Sequence, residues 1–227
     1  MKWIFTIVLV SWLSLSGFNR ISTINKYLEN AYTNYLQRDF SNTISSLNFL
    51  TDSLSMENDG LLLNKAHSTY LLSQKKKPGI VAGDSVTIKA MQQALDLYKS
   101  LWVAADNSLQ SIAYNQGGII TFKTLSVNGK TSTEEEAIRT AIDFFKMALV
   151  EDPTNNAARY NYELLKKYLQ YPDDVMNRAK NLVSQRKFEE AYTLLAGKVE
   201  SDSRFAKHQE FIKRLTDIIK IEQATHD

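Results

Sequence analysis

The stretch AIDFFKMALVEDPTNNAARYNYELLKK, Ala141 to Lys167, reads as one helix, a stop at Pro153, and an immediate second helix. Ala141, Phe145 and Ala148 fall on one helical face at spacings of four and three, and Pro153 follows five residues later. Proline has no N–H to donate and its ring crowds the preceding turn, so the first helix must end there. The small Ala residues let two helices approach closely, and Phe145 fills the gap between neighbours. So short a connection leaves no room for a loop that holds a site. The stop and restart is the joint between stacked helical hairpins.

Working outward, the element Gln-Arg-x-Phe stands at Gln37 to Phe40 and again at Gln185 to Phe188. In both places the aromatic follows a polar turn and opens an amphipathic run: Ile44, Leu47 and Leu50 in one, Tyr192, Leu195 and Val199 in the other. Each reads as a helical hairpin. First helices can be matched by a Tyr-Asn pair, Tyr114-Asn115 and Tyr160-Asn161, with Asn64 in the equivalent place of an earlier helix. Ala31 with Tyr35, and Ala179 with Leu182, serve as small and large packing positions near the two ends. The spacing predicts hairpins at 22–54, 60–104 and 107–151, a helix at 156–170, a hairpin at 173–200 and a terminal helix at 204–223.

The run of Ala141, Phe145, Ala148 and Pro153 resembles the second-helix half of a tetratricopeptide repeat. That resemblance implies an all-α fold: an α-solenoid of tetratricopeptide-like hairpins wound as a right-handed superhelix, here with two inserted loops and a C-terminal helix. The first and last hairpins depart from the pattern, with Thr43 and Lys198 where Ala is expected. Leu28 and Leu63 stand where a carboxylate-clamping repeat would want Lys, so capture of a free C-terminus is not implied. The stretch ALVEDPTNNAARYNYELLKKYLQ, Ala148 to Gln170, is similar to the exported tetratricopeptide proteins of bacterial aerotolerance (Bat-type) operons. This likeness implies a periplasmic adaptor that meets membrane-anchored von Willebrand A-type partners.

Composition is consistent with a folded helical chain. Of 227 residues, 44% are apolar and 23% charged, an ordinary globular balance. The eight Gly and three Pro are few and fall mostly between apolar-periodic runs, as helices require. A net charge of +2 is too small for a nucleic-acid footprint. The absence of Cys excludes disulfides, thiolate metal sites, a cysteine nucleophile and a lipid-modified N-terminal cysteine. At the N-terminus, Lys2 precedes a mostly apolar run from Trp3 to Leu15, and Ser14-Leu15-Ser16-Gly17 offers small residues for a signal peptidase. Residues 1–16 are therefore expected to be a signal peptide, cleaved near Ser16, and 17–227 an exported, periplasmic repeat domain. No transmembrane span is expected in that mature chain, since a span takes about 20 apolar residues.

The search for chemistry is mostly negative. His67, His208 and His226 have no companion at metal-ligand spacing on the same helical face. Glu134 to Glu136 and Asp173-Asp174 suit the positive ends of helices. Gly117-Gly118 lies within a helical pattern and marks a close-packing site rather than a phosphate cradle. Two insertions lengthen the repeats, QKKKPGIVAGDSVT (Gln74 to Thr87) and TLSVNGKTST (Thr124 to Thr133). The second holds the turn pair Asn128-Gly129 and leads into a capping box of Thr133 and Glu136. A small-ligand binding protein or hydrolase would place its site between these loops, with Lys75 to Lys77 and Glu134 to Glu136 as charged groups. The plainer reading of both is tolerated surface insertion.

What remains is surface. If first helices line the inner wall of a superhelix, as the resemblance implies, that wall exposes Tyr32, Tyr35, Asn64, His67, Tyr70, Tyr114, Asn115, Tyr160, Asn161 and Lys167, with Leu28 and Thr121 among them. Tyrosines offer rigid area plus a hydroxyl, and asparagines pair both donors and acceptors of an extended peptide. The competing reading packs the tyrosines between helices and spends the asparagines on local turns. The sequence thus points to a non-enzymatic adaptor without cofactor or metal. Its partner is expected to be a protein or peptide segment, including membrane-anchored envelope proteins, and not a nucleic acid.

Overall fold

The computed structural model describes residues 2–56, 58–75, 85–125 and 131–226. The described chain is all-α: nine helices and no strand. They are α1 (Lys2–Leu36), α2 (Phe40–Asn48, continued by a π-helical turn Phe49–Ser53), α3 (Asp59–Gln74) and α4 (Ser85–Ser100, followed by a 3-10 turn Leu101–Val103). Then come α5 (Asn107–Leu125), α6 (Thr131–Glu151), α7 (Asn156–Ser184), α8 (Phe188–Ser201) and α9 (Gln209–His226), with a 3-10 segment Ser203–His208 before the last. Each helix packs on the next in sequence, and α3 with α5 and α5 with α7 also touch directly.

Local chemistry sets the breaks. At both Gln-Arg-x-Phe turns the arginine takes a left-handed φ of 58°, at Arg38 and at Arg186. The following N–H then bonds back across the helix end, Asp39 N to Asn34 O at 2.8 Å and Lys187 N to Leu182 O at 2.9 Å. Both are Schellman closures, so the sequence repeat is also a conformational one. Asp39 caps α2 by accepting from Asn42 N, Asn58 caps α3 from Leu61 N, and Asn155 caps α7 from Ala158 N.

The joint quoted at the outset is held by a buried polar relay. Helix α6 ends at Glu151, and Ser111 on α5, fully buried, donates to Ala148 O at 2.7 Å. Ser111 in turn accepts from Asn155 Nδ2 at 2.8 Å, so α5 grips the end of one helix and the start of the next. Ala141, Phe145 and Ala148 are all buried. Gly118 lies so close to the Phe145 ring that an added Cβ would sit 2.5 Å from it. A fully buried Phe contributes about 1.5–3 kcal/mol through area alone.

The apolar core is segmented. Ala31, Leu47, Leu50 and Leu61 form one cluster, and residues of α3 to α5, including Tyr98, Leu101 and Ile120, form a second. A third joins Ile138, Phe145 and Leu165, and a fourth, with Val175, Ala179, Leu195, Phe205 and Leu215, belongs to the end of α7 with α8 and α9.

Three boundaries correct the sequence reading. The helix expected to end at residue 170 runs on through Pro172 to Ser184. Pro172 cannot donate to Tyr168 O, its partner four residues back, but Arg204 Nη1 donates to that carbonyl at 2.6 Å. A side chain from beyond α8 therefore supplies what the proline lacks. Second, α6 begins at Thr131, so Thr133 lies in its first turn and not at the cap expected of it. Third, α1 reaches back to Lys2, so the expected leader and first hairpin helix share one helix. The expected Asn128-Gly129 turn, Lys76 and Lys77 lie outside the described residues. No helix among the described residues is long and apolar enough to cross a membrane.

Candidate functional site

The odd-numbered helices are joined to one another by side chains, from the N-terminus onward. On α1, Tyr35 sets its ring 6.2 Å from that of His67 on α3 and 5.8 Å from Phe40. His67 Nδ1 lies 3.3 Å from the hydroxyl of Tyr98 on α4, within hydrogen-bonding distance. Burial lowers the pKa of His67 and raises that of Tyr98, the latter further by the nearby phenols of Tyr70 and Tyr35. Both groups are thus held neutral at pH 7.

From α5, Lys123 reaches across to α3, donating to the Tyr70 hydroxyl at 2.7 Å and to Gln74 Oε1 at 3.1 Å. Between α5 and α7, Asn161 Nδ2 donates to Asn115 Oδ1 at 3.0 Å. A single wall thus runs from α1 through α3 and α5 to α7. Comparison of the chain with protein-family models, curated proteins and solved structures finds no match. The wall is therefore described by its own chemistry.

The predicted site residues divide into two groups. Tyr32, Asn64, Tyr160 and Lys167 are exposed, Tyr35 remains partly so, and His67 and Asn161 are half-buried. Three others are not free to meet a partner as expected. Tyr70 is buried and engaged by Lys123, Asn115 is buried and engaged by Asn161, and Tyr114 stacks on Trp102 at 4.9 Å. Thr121 is buried as well. For these the packing reading holds: Tyr70 and Asn115 are used by the neighbouring odd helices, and Tyr114 by the 3-10 turn that follows α4. Among the described residues Asn161 commits its amide nitrogen alone, leaving its carbonyl oxygen for other use.

The residue that sequence reasoning missed is Lys123. It is the single charged side chain of α5, in an otherwise neutral helix, and that isolation was the available signal. Charge is also uneven between layers. Helix α7 carries Arg159, Lys166, Lys167, Arg178 and Lys180 against Glu163, Asp173 and Asp174. Helices α6 and α8 carry the opposite excess, with Glu134 to Glu136, Asp143 and Glu151 in one and Glu189, Glu190 and Glu200 in the other.

Two open depressions lie elsewhere, around the α7–α8 turn. One, of about 770 Å³, is lined by Arg178, Asn181, Gln185, Glu189 and Glu190; the other, of about 700 Å³, by Arg186, Lys187, Phe188 and Glu222. Their charges are mixed and surface-facing, with no convergent set of polar groups of the kind a small-molecule site uses. Among the described residues, no group of three His, Asp or Glu is arranged to hold a metal ion.

Proposed function

We propose that the chain is an exported, non-enzymatic adaptor whose tetratricopeptide-like solenoid binds a protein segment along its odd-numbered helices. Support for the solenoid comes from the sequential packing of the hairpins, from the direct α3–α5 and α5–α7 contacts, and from Phe145 seated on Gly118. One observation carries the binding reading. Tyr35 with His67, Lys123 with Tyr70, and Asn161 with Asn115 knit four helices into one wall, which then presents Asn64, Tyr160 and Lys167 to solvent.

Such a wall is preorganised, so binding does not have to order it. The excess of Lys and Arg on α7 favours a segment bearing acidic side chains. Following the sequence likeness, the partners are membrane-anchored envelope proteins of von Willebrand A type, met in the periplasm after the leader is removed.

The test is a triple substitution of exposed positions, Asn64→Ala, Tyr160→Ala and Lys167→Ala. Helical circular dichroism is expected to stay unchanged while cross-linked recovery of envelope partners from intact cells is lost. Undiminished recovery would contradict the assignment.

A further inference from the structure

Helix α1 has two apolar faces; one is covered, and the other is open except at its end, where Tyr35 leans on Phe40 and His67. Ile24, Tyr27 and Ala31 pack into the first core cluster, with Tyr27 stacked on Phe49 at 3.9 Å. A second row runs along the flank as Phe18, Ile21, Asn25, Leu28, Tyr32 and Tyr35. Its steps alternate three and four, the 3.5-residue period that one helix presents to another of the same kind. Phe18 is 73% exposed, Ile21 59% and Tyr32 65%, with Leu28 and Tyr35 also open.

The row matches itself. No charged side chain falls in it, so no charge selects a foreign partner. Its one polar member, Asn25, is exposed and sits between apolar neighbours, where an amide covered without a partner is costly. Parallel pairing about a two-fold axis would place the two Asn25 amides opposite each other, each donating to the other's oxygen. Antiparallel pairing would instead set Asn25 against Leu28. A single Asn at such a position is a known register device. At the other end of the chain, α9 turns Glu210, Lys213, Arg214 and Lys220 outward, which is no surface for apolar self-association.

We propose that α1 is a self-association helix: two copies of the chain pair in parallel along Phe18 to Tyr35. The seam is about 27 Å long at 1.5 Å per residue. A seam so short would be marginal between free peptides, but α1 is already ordered by α2, so pairing carries no cost of helix nucleation. The pairing rests on α1 alone and assigns Tyr32 to the two-fold seam, with Tyr35 at the seam's end, where its ring also meets His67.

Light scattering on the full-length chain at micromolar concentration tests it without any foreign partner. The expected mass is twice that of one chain, and Tyr32→Glu is expected to return it to one with helical circular dichroism unchanged. A monomeric parent chain, or a dimer that survives Tyr32→Glu, overturns the proposal. Because the chain lacks Cys, Asn25→Cys gives a second readout that does not depend on disrupting the fold. Mild oxidation is expected to cross-link it into a covalent dimer, whereas Lys213→Cys on α9 stays monomeric under denaturing conditions. A dimer that Asn25→Cys fails to trap overturns the parallel register.

Discussion

Pro153 and Pro172 lie close together in sequence and do opposite things. Pro153 stands between α6 and α7, where Asp152 accepts from Thr154 N at 2.9 Å and Asn155 caps the next helix. Pro172 lies buried inside α7, which continues past it unbroken. The difference is in what surrounds the lost hydrogen bond. Around Pro153 the neighbours Asp, Thr and Asn offer the backbone turn partners. Around Pro172 the adjacent Asp173 is instead engaged by Lys207, accepting from its Nζ at 2.9 Å, and a guanidinium from the same distant segment takes the stranded carbonyl. At Pro172 the missing donor comes from elsewhere in the chain and the helix runs on.

The first joint is fixed by packing, so breaking its packing has the largest effect. Phe145→Ala removes a buried ring from the α5–α6 interface and is expected to cost about 3–5 kcal/mol in chemical unfolding. Next comes the second proline. Arg204 donates to Tyr168 O, lies 3.8 Å over the Tyr168 ring and pairs with Asp202 through its Nη2 at 2.5 Å. Arg204→Ala should cost about 2–3 kcal/mol. Pro172→Ala restores an N–H at that position. It is expected to recover about 1 kcal/mol in the Arg204→Ala background beyond its effect alone, and a double-mutant cycle with no coupling would contradict the account of α7.

Adjacent glycines sharpen the comparison at smaller amplitude. A Cβ on Gly118 meets the Phe145 ring, so Gly118→Ala is expected to destabilise by about 1–3 kcal/mol. At Gly117 the nearest atom is Leu95 Cδ1 at 3.6 Å, ordinary contact, so Gly117→Ala should stabilise by up to about 1 kcal/mol through helix propensity. Thermal melts of the two variants should move in opposite directions.

The smallest effect is titration. Burial lowers the pKa of His67, and burial then Lys207 lowers that of His208, against the opposing pull of Asp173 and with Lys180 adding to the decrease. A histidine whose folded pKa lies below its unfolded value of 6.5 binds protons more readily when unfolded. Stability is therefore expected to fall as pH drops below that value. The melting temperature should decline between about pH 7 and pH 5, less steeply in His208→Gln. Equal slopes in the two proteins would remove His208 from the explanation.

Much of the fold was legible because it rests on local signals. The stop at Pro153 and the repeated Gln-Arg-x-Phe turns each use residues within a few positions of the break. Pro172 was misread because its rescue comes from Arg204, beyond the next helix. The wall was legible only in part. Helices α3 and α5 carry apolar residues on every side, so no single stripe marks which face is covered. Of the residues expected on the wall, Asn64 and Tyr160 are exposed, whereas Tyr70 and Asn115 are buried. Deciding between them required knowing that Lys123 and Asn161 reach across from the neighbouring odd helices.

The most direct test of segment binding by the odd-numbered helices is site-specific photo-cross-linking in intact cells. A photoreactive side chain would replace Tyr160 on α7 in one strain and Val150 on α6, 68% exposed, in another. A defined protein adduct from position 160 and none from position 150 is the predicted result. Adducts of equal yield at both positions, or none at position 160, would contradict it.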